Sequence, residues 1–333
     1  MGDCIKSTDE LDDQEIKLLA TTLPYVLKNG RANSTVEKYR AGWTGWVEWS
    51  KQKDEVRTRP AHPFYVAIYL NHLLFTKQNK GCITTAVYGI RWAHHMVGLE
   101  SPTDNSLVQL AQEGCMRLCE GKKVRKEAIP VEIIKRFVDE FCPRTSNMLD
   151  LRFLVVCLTG FSGFLRIQEL LDVKLKHVKF FSDHVKIFLP KSKADQHRHG
   201  DHVFIAATGT KYCPVQYMKY FLKKAELDLD VDKDAFLIPT LYRTKKGHRA
   251  SKWRGISYSR INEVFHENLK LRGIEENYGL HSLRAGGASA AAKNGVSDRL
   301  ISKQGRWTSE SARNGYIEDD KKTRLGVTLS LGL

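Results

Sequence analysis

The sequence predicts a mainly α-helical protein with a small antiparallel β-sheet, in which an amino-terminal helical bundle precedes an α+β domain. Three observations lead to this prediction. Apolar residues recur at helical spacing through most of the chain. The spacing changes to the shorter period of strands between residues 173 and 206. A basic run at residues 121–126 divides the chain, and 333 residues suit two domains of roughly 150 residues each.

The first half of the chain is predicted to form a compact domain of four or five helices, residues 15–120, after a polar lead-in, residues 1–14. Helices are predicted after a capping box formed by Ser34 and Glu37, after Pro63, and over residues 84–97 and 104–119. Trp43, Trp46 and Trp49 fall at helical spacing, which favours a place in the core over a platform for stacking bases.

The second half, residues 128–333, is predicted to combine helices with short strands. Helices are predicted over residues 131–142, 147–160, 215–225 and 257–271. Strands are predicted over residues 173–181, 184–189 and 202–206, which are separated by turn residues and a polar loop. Residues 242–254 are basic and contain few apolar side chains, which predicts an exposed loop.

The net charge favours an anionic partner. The chain carries 53 Lys and Arg against 38 Asp and Glu, which leaves a formal charge of +15. Nucleic acid is the first candidate and an acidic membrane surface the second. No stretch is long and apolar enough to predict a membrane span, and the acidic amino terminus lacks the pattern of a secretory leader. Seven scattered cysteines predict reduced thiols in an intracellular protein rather than a disulfide framework or a zinc site.

The basic run is predicted to be a domain linker, residues 121–127, that contacts the phosphate backbone of DNA. The candidate DNA contacts are Lys122, Lys123, Arg125 and Lys126, together with Arg91 in the first domain. Two other interpretations stay open. The run can be a solvated charge cluster that binds nothing, or a nuclear-import signal.

Several residues of the second half can bind and attack a phosphodiester. Arg166 follows a glycine-containing turn at the predicted start of a helix, where backbone N–H groups also favour an anion. Arg284 offers a planar fork of donors that matches phosphate oxygens. His281 is a donor whose charge is adjustable near neutrality. Tyr316 carries a hydroxyl that can become a covalent nucleophile if its surroundings activate it.

Two further residues complete an ordered set. Lys193 lies near the tip of the loop between the second and third strands, and Trp307 lies between Arg284 and Tyr316. The order Arg, hairpin Lys, His-x-x-Arg, Trp and Tyr resembles that of the tyrosine recombinases, the family of phage integrases and of Xer- and Cre-like recombinases. The resemblance covers nearly the whole chain. Positions 284 and 307 are 23 apart, and positions 307 and 316 are nine apart, as the family pattern requires.

The sequences of three short segments narrow the resemblance to one part of the family. The segments GFLRIQELL, PKSKADQ and HSLRAGGAS resemble recombinases of eukaryotic mobile elements, the Crypton and DIRS-like groups, more than bacterial Xer proteins. The chain departs from the bacterial pattern at residues 285–287, Ala-Gly-Gly, and at residues 304–307, Gln-Gly-Arg-Trp, where many members have Leu-Gly-His. Trp307 can donate an N–H to a phosphate, but it cannot exchange a proton as His can.

The resemblance implies a tyrosine-recombinase catalytic domain over residues 128–333 and a helical DNA-binding domain before it. The implied catalytic residues are Arg166, Lys193, His281, Arg284, Trp307 and Tyr316. Tyr316 would attack a DNA phosphate in line, form a 3′-phosphotyrosyl link and release a 5′-hydroxyl, without ATP, metal or another cofactor. The arginines, the histidine and the tryptophan would stabilise the phosphate oxygens, and Lys193 would protonate the leaving oxygen.

The resemblance also implies the partners. Double-stranded DNA would be held in a C-shaped clamp, and strands would be exchanged in a homotetramer through a Holliday junction, with a monomer as the form free in solution. No membrane and no small-molecule substrate is expected, and the location would be nuclear if the source is eukaryotic.

Competing assignments stay open at several positions. Lys191 competes with Lys193, which lies nearer the loop tip. Glu169 is predicted to be an ion-pair or capping partner of Arg166 rather than a catalytic base. The histidines of the hairpin are predicted to be solvated or to face phosphate rather than to bind metal; they are His197, His199 and His202. Tyr258 and Tyr278 are alternative hydroxyls, but neither has the required distance to Trp307.

Two other functions fit the same residues. One is a catalytically silent DNA-binding descendant of a recombinase, against which the retained set of site residues argues. The other is a topoisomerase that uses the same tyrosine chemistry without exchanging partners. The segment after Tyr316, which ends GVTLSLGL, either docks on a neighbouring subunit or frays.

Overall fold

The structure of the protein, a computed structural model, describes residues 11–119, 126–141, 147–190, 200–245, 247–318 and 321–331. The chain divides into two compact units, residues 1–124 and 125–333. Residues 121–125 of the predicted linker lie outside the described residues. Among the residues that the structure describes, no helix combines the length and the apolar character that crossing a membrane requires.

The first unit is helical. Its helices are α1 (Gln14–Asn29), α2 (Asn33–Ser50), α3 (Pro63–Lys77), α4 (Lys80–His95) and α5 (Ser106–Leu118), with a short 3₁₀ helix at Pro102–Asp104. Trp46 and Trp49 are buried, and their rings lie 5.4 and 5.2 Å from the ring of Tyr69. The predicted place of these two tryptophans in the core is therefore confirmed.

The start of α2 differs from the prediction. The helix begins at Asn33, with Ala32 as the cap residue, because Thr35 and Val36 already donate their backbone N–H groups to the Ala32 carbonyl. Ser34 is thus inside the helix, and the predicted capping box with Glu37 is wrong. Pro63, by contrast, does begin α3, since its fixed φ suits the first helical position.

The second unit is a helical assembly with two small sheets. Its helices are α6 (Val131–Phe141), α7 (Met148–Ser162), α8 (Ile167–Leu171), α9 (Pro214–Lys224), α10 (Tyr258–Leu271), α11 (Leu280–Lys293), α12 (Asp298–Gly305), α13 (Glu310–Asn314) and α14 (Lys321–Leu329). Helix α7 is buried on nearly all sides and forms the centre of the core, because its sequence is apolar around the whole helix.

The first sheet contains β1 (Val178–Phe180), β2 (His184–Leu189) and β3 (Asp201–Ala206), paired antiparallel in the order β1-β2-β3. The prediction for residues 184–189 is confirmed. The first predicted strand, residues 173–181, is too long, because Leu175–His177 forms a 3₁₀ turn instead. In β2 and β3 buried apolar residues alternate with more exposed ones, so one face of the sheet covers the core.

The predicted loop at residues 242–254 is wrong. This segment belongs to a hairpin of β4 (Pro239–Thr244) and β5 (Gly247–Gly255). The side chains of β5 are exposed or half-buried, so the hairpin lacks the alternation of apolar and polar residues by which a strand is recognised. Backbone hydrogen bonds between the two strands stabilise it instead.

Candidate active site

Helix α11 carries two of the candidate residues on successive turns. The helix begins after Gly279, whose N–H donates to the Ser282 hydroxyl at 3.0 Å. His281 lies in the first turn and is exposed. Arg284 lies one turn later and is fully buried. One histidine at the surface and one arginine below it thus share the amino-terminal end of the helix.

Gly287 explains how deeply α11 is embedded. A Cβ atom added at this position would overlap the Phe161 carbonyl oxygen near the end of α7. Only glycine therefore lets the two backbones approach so closely. This close approach brings Arg284 to the turn that follows α7.

The guanidinium of Arg284 is held by backbone carbonyls rather than by a carboxylate. Its Nη1 donates to the Phe164 carbonyl at 2.6 Å, and its Nη2 donates to the Gly305 carbonyl at 2.5 Å. Its Cζ lies 4.5 Å from the ring centroid of Trp307 and 5.0 Å from that of Tyr316. The buried Nε has no hydrogen-bond partner among the described residues. Arg284 therefore has N–H groups without a described hydrogen-bond partner next to both aromatic rings.

Trp307 packs over the end of α12. Its ring lies so close to Gly305 that a Cβ atom there would overlap it, which accounts for the glycine in the Gln-Gly-Arg-Trp segment. The ring is 8% exposed and lies 5.2 Å from the ring of Tyr316. Its Nε1 is buried without a partner among the described residues. An unpaired buried donor is costly, so this N–H is suited to an anion that arrives from outside.

Arg166 lies immediately before α8 and is oriented by Glu169. The Glu169 carboxylate accepts from the Arg166 backbone N–H at 3.2 Å and pairs with Arg166 Nη1 at 2.6 Å. The predicted role of Glu169 as an ion-pair and capping partner is thereby confirmed. Its second oxygen pairs with Arg306 Nη2 at 2.7 Å. One buried carboxylate thus connects two arginines that lie far apart in the sequence.

Arg306 was missed as a site residue by sequence reasoning. Arg306 is buried and follows the last residue of α12. Its backbone is in the left-handed conformation, with φ of 55°, which is uncommon for residues other than glycine. The segment Gln-Gly-Arg-Trp drew attention to Trp307, whose spacing matches a known pattern. The spacing of Arg306 carries no such signal, because its partner Glu169 is 137 positions away.

The site has surplus positive charge. Two guanidinium groups, those of Arg166 and Arg306, pair with the single carboxylate of Glu169, and Arg284 has no ion-pair partner among the described residues. Burial, reinforced by the positive charges of Arg166 and Arg306, lowers the pKa of Arg284 to about 10. Arg284 nevertheless remains charged at neutral pH. An anion entering this site would meet charge that the protein itself leaves uncompensated.

Tyr316 follows α13 and is half-buried beside Trp307. Its N–H donates to the Arg313 carbonyl at 2.8 Å, and its carbonyl accepts from the Ser289 hydroxyl at 3.4 Å. Ser289 belongs to α11 and also accepts from the Glu318 backbone N–H at 2.9 Å. The backbone on both sides of the tyrosine is therefore attached to neighbouring elements of the same unit.

Gln304 links the site to the three-stranded sheet. Its Nε2 donates to the Ser162 carbonyl at 3.1 Å and to the Phe204 carbonyl at 3.0 Å. Phe204 lies on β3, and Gln304 is three residues before Trp307. The strand that leads out of the β2–β3 loop is thus attached to the turn that holds the tryptophan. Sequence reasoning missed this glutamine because its acceptors are backbone atoms.

The structure brings together four of the six predicted catalytic residues. Arg284, Trp307 and Tyr316 are in mutual contact, and Arg166 is close enough to influence the pKa of Arg284. His281 lies one turn away on the exposed end of α11. Lys193 lies outside the described residues, as do Lys191, His197 and His199. The catalytic roles of all six residues stay predictions.

The predicted DNA contacts are only partly described. Lys122, Lys123 and Arg125 lie outside the described residues. Lys126 is exposed and donates its Nζ to the Tyr278 carbonyl at 3.1 Å. Arg91 donates to Thr103 at 3.1 Å and pairs with Asp104. Arg91 therefore has partners within its own unit, and contact with DNA stays a prediction for each residue of this set.

Comparison with known proteins gives one family. The model of the phage integrase family matches residues 127–323. An integrase/recombinase XerD homologue from Selenomonas ruminantium is 25% identical over 298 residues, which are 88% of this chain and 83% of the homologue.

Solved structures share the fold at low sequence identity. The XerH site-specific recombinase bound to its palindromic difH substrate superposes with a TM-score of 0.60 at 13% identity, covering 98% of this chain and 90% of XerH. A λ integrase dimer bound to a COC′ core site gives a TM-score of 0.55 at 13% identity, covering 90% of this chain and 76% of that one. The predicted mainly helical fold with small antiparallel sheets is confirmed.

Proposed function

The chain belongs to the phage integrase family of tyrosine recombinases, enzymes that break and rejoin DNA, and we propose that Tyr316 is the residue through which it does so. The observation that supports this proposal best is the contact of the Tyr316 ring with Trp307 and with the guanidinium of Arg284. A phosphate next to this tyrosine would lie beside donors that have no anionic partner among the described residues.

In the proposed reaction the Tyr316 hydroxyl oxygen attacks a DNA phosphorus atom in line. A bond forms between tyrosine and phosphorus while the bond from phosphorus to the 5′-oxygen breaks. The tyrosine hydroxyl loses its proton and the leaving 5′-oxygen gains one, so the products are a 3′-phosphotyrosyl link and a free 5′-hydroxyl. The attack of a 5′-hydroxyl on that link reverses the step, so rejoining conserves the bond energy without a nucleotide cofactor.

The proposed stabilisation of the transition state is electrostatic. Negative charge grows on the phosphate oxygens that do not leave, and fixed donors in a dry site stabilise such charge best. The Arg284 guanidinium has five N–H groups. One N–H on Nη1 and one on Nη2 already donate to carbonyls, which fixes the orientation of the side chain. Its remaining donors, Arg166 and the Trp307 Nε1 group would bind these oxygens. His281 would add a donor from the first turn of α11.

Proton transfer is assigned to a different part of the unit. Tryptophan cannot exchange a proton, and a guanidinium holds its proton too tightly to act as an acid. A lysine amine can transfer a proton, and we assign protonation of the leaving 5′-oxygen to Lys193, between β2 and β3. The attachment of β3 to Gln304 supports this assignment, because it connects the loop's own strand to the turn before Trp307.

The finer assignments are proposals as well. DNA-bound structures of XerH and λ integrase support double-stranded DNA as the partner. We propose that the first unit and residues 122–126 hold the duplex and that strands are exchanged in a homotetramer. The amino-acid sequences of the segments around Arg166, Lys193 and Arg284 support an origin in Crypton- or DIRS-like elements, and hence a nuclear location.

The test uses nicked duplexes of randomised sequence, in which cleavage next to the nick releases a short fragment and traps the covalent product. We expect wild type to form a protein–DNA adduct that survives denaturation and Tyr316→Phe to form none. Tyr258→Phe is the matched control and should react as wild type does. DNA binding without an adduct would refute the catalytic proposal. Relaxation of supercoiled DNA without junction products would identify a topoisomerase.

A further inference from the structure

The outward face of the three-stranded sheet carries exposed aromatic rings beside two lysines. Lys179 of β1 lies opposite Lys186 of β2, which lies opposite Phe204 of β3. Their neighbours along the chain, Val178, Val185 and Val203, turn into the core. Together with Phe181 and His184, these side chains are called the sheet platform; it consists of Lys179, Phe181, His184, Lys186 and Phe204.

The rings of the platform form a continuous surface. Phe181 and His184 are stacked, with centroids 4.4 Å apart and planes only 9° apart. The His184 ring lies 5.7 Å from that of Phe204. Phe181 is 37% exposed and Phe204 is 51% exposed. Part of each phenylalanine ring thus remains exposed to solvent.

The lysines give the platform positive charge. Their Nζ atoms lie near the rings, Lys179 at 5.3 Å from Phe181 and Lys186 at 5.7 Å from Phe204. Neither lysine has an ion-pair partner in the part of the chain that the structure describes. Like charges directly opposite each other on neighbouring strands are destabilising. A bound anion would remove that repulsion.

A single nucleic-acid strand satisfies both features. Its phosphates are anionic, and its unpaired bases have flat faces that stack on aromatic rings regardless of sequence. A duplex satisfies only the first, because its bases are already stacked on one another. The platform is also connected to the candidate active site, since the Phe204 carbonyl accepts a hydrogen bond from Gln304.

We propose that the sheet platform binds the single DNA strand released on cleavage, by stacking bases on Phe181 and Phe204 and binding phosphates with Lys179 and Lys186. This proposal rests on the proposed function, which frees a 5′-hydroxyl strand that must leave its complement before it joins a new one. Stacking would hold the unpaired bases of that strand on the unit that carries the tyrosine while the partner strand arrives.

The test measures binding of a single-stranded oligonucleotide that contains 2-aminopurine, whose fluorescence falls when the base stacks. Full-length Tyr316→Phe protein is used, so that no covalent link forms. We expect the double variant Phe181→Ala/Phe204→Ala to bind at least about thirtyfold more weakly, as the loss of two stacking contacts predicts. The variant Lys179→Gln/Lys186→Gln should bind more weakly and with a smaller dependence on salt.

Tyr220→Ala is the matched control. Tyr220 of α9 is 41% exposed and has Lys224 Nζ 5.5 Å from its ring, but it lies outside the platform. Its variant should bind the oligonucleotide as the parent does. Thermal unfolding of each variant shows whether the sheet remains folded.

Several outcomes would overturn the proposal. They are an absence of quenching in the parent protein, an equal loss in the Tyr220 control, and an equal loss for the oligonucleotide and its duplex. Intact binding in the platform variants together with a changed oligomeric state would identify a protein interface instead. If nicked duplexes give no adduct in wild type while quenching still depends on the platform, the proposed catalytic function fails and single-strand binding stands.

Discussion

The surroundings of Arg284 and Arg166 show two ways to fix an arginine in one site. Arg284 is buried and bound by the carbonyl oxygens of Phe164 and Gly305, which fix its orientation without neutralising its charge. Arg166 is bound by Glu169, whose charge it shares with Arg306. The first arrangement preserves a full positive charge for a phosphate. The second gives a precise orientation but a weaker field, so the two arginines should differ in how much each contributes to catalysis.

The largest effect is expected from Arg284→Lys. An ammonium cannot keep both carbonyls and still present a planar fork to phosphate. Loss of such a donor costs about 10²–10³ in rate, so single-turnover cleavage of the nicked duplex should fall by that factor. Gel quantification of the covalent adduct over time measures it.

Arg152→Lys is the control for the loss of a buried arginine. Arg152 is also buried and donates to a backbone carbonyl, that of Pro239 at 3.2 Å, but it lies outside the candidate active site. Equal losses of cleavage in the two variants would mean that the effect of Arg284→Lys is one of folding. Thermal unfolding should show similar destabilisation of both, with cleavage lost only in the first.

A smaller effect is expected from Glu169→Gln. The amide keeps the size of the carboxylate but loses its charge, so Arg166 and Arg306 are held less firmly. We expect cleavage to fall by about tenfold, equivalent to about 1.4 kcal/mol in the barrier, because Arg166 is displaced rather than removed. DNA binding should be retained or slightly stronger, since the site becomes more positive.

Glu140→Gln is the matched control for that change. Glu140 also connects two arginines of the same unit, Arg136 at 2.8 Å and Arg272 at 2.8 Å, but outside the candidate active site. This variant should unfold at a lower temperature without slower cleavage. If both variants slow cleavage equally, the pairing at Glu169 stabilises the fold and does not position Arg166.

The sequence predicts residues of this site whose spacing is local, and it misses those whose partners are distant or are backbone atoms. Arg284, Trp307 and Tyr316 follow one another at fixed intervals within 33 positions, so a pattern identifies them. Arg306 and Gln304 lie in the same stretch, but their partners are Glu169 and the Phe204 carbonyl. Nothing in a local pattern encodes such pairs.

The same distinction explains the two sheets. Strand β2 alternates buried Val185, Ile187 and Leu189 with more exposed residues, because one of its faces covers the core, and the prediction for residues 184–189 is correct. Little of the surface of strand β5 packs against the core, so its residues need not alternate between apolar and polar. Its basic sequence is therefore typical of a loop. Burial on one face, rather than strand formation itself, is what the sequence records.

The smallest effect, and the sharpest test of the Arg166 arrangement, is expected from Arg306→Gly. Glycine removes the roughly 1–2 kcal/mol cost of holding a side chain in the left-handed region, but it also removes the ion pair with Glu169. Breaking a buried ion pair by removing one partner costs about 3–5 kcal/mol, which exceeds that gain, so the free energy of unfolding should fall. Cleavage should slow a few-fold, because Glu169 then holds Arg166 without its second partner.

Combined with Glu169→Gln, the glycine variant should add no further loss of cleavage, since both changes act through one pair. Additive losses in this double-mutant cycle would mean that Arg306 acts on the phosphate directly. Arg306 would then be a third phosphate-binding arginine of the site, beside Arg284 and Arg166.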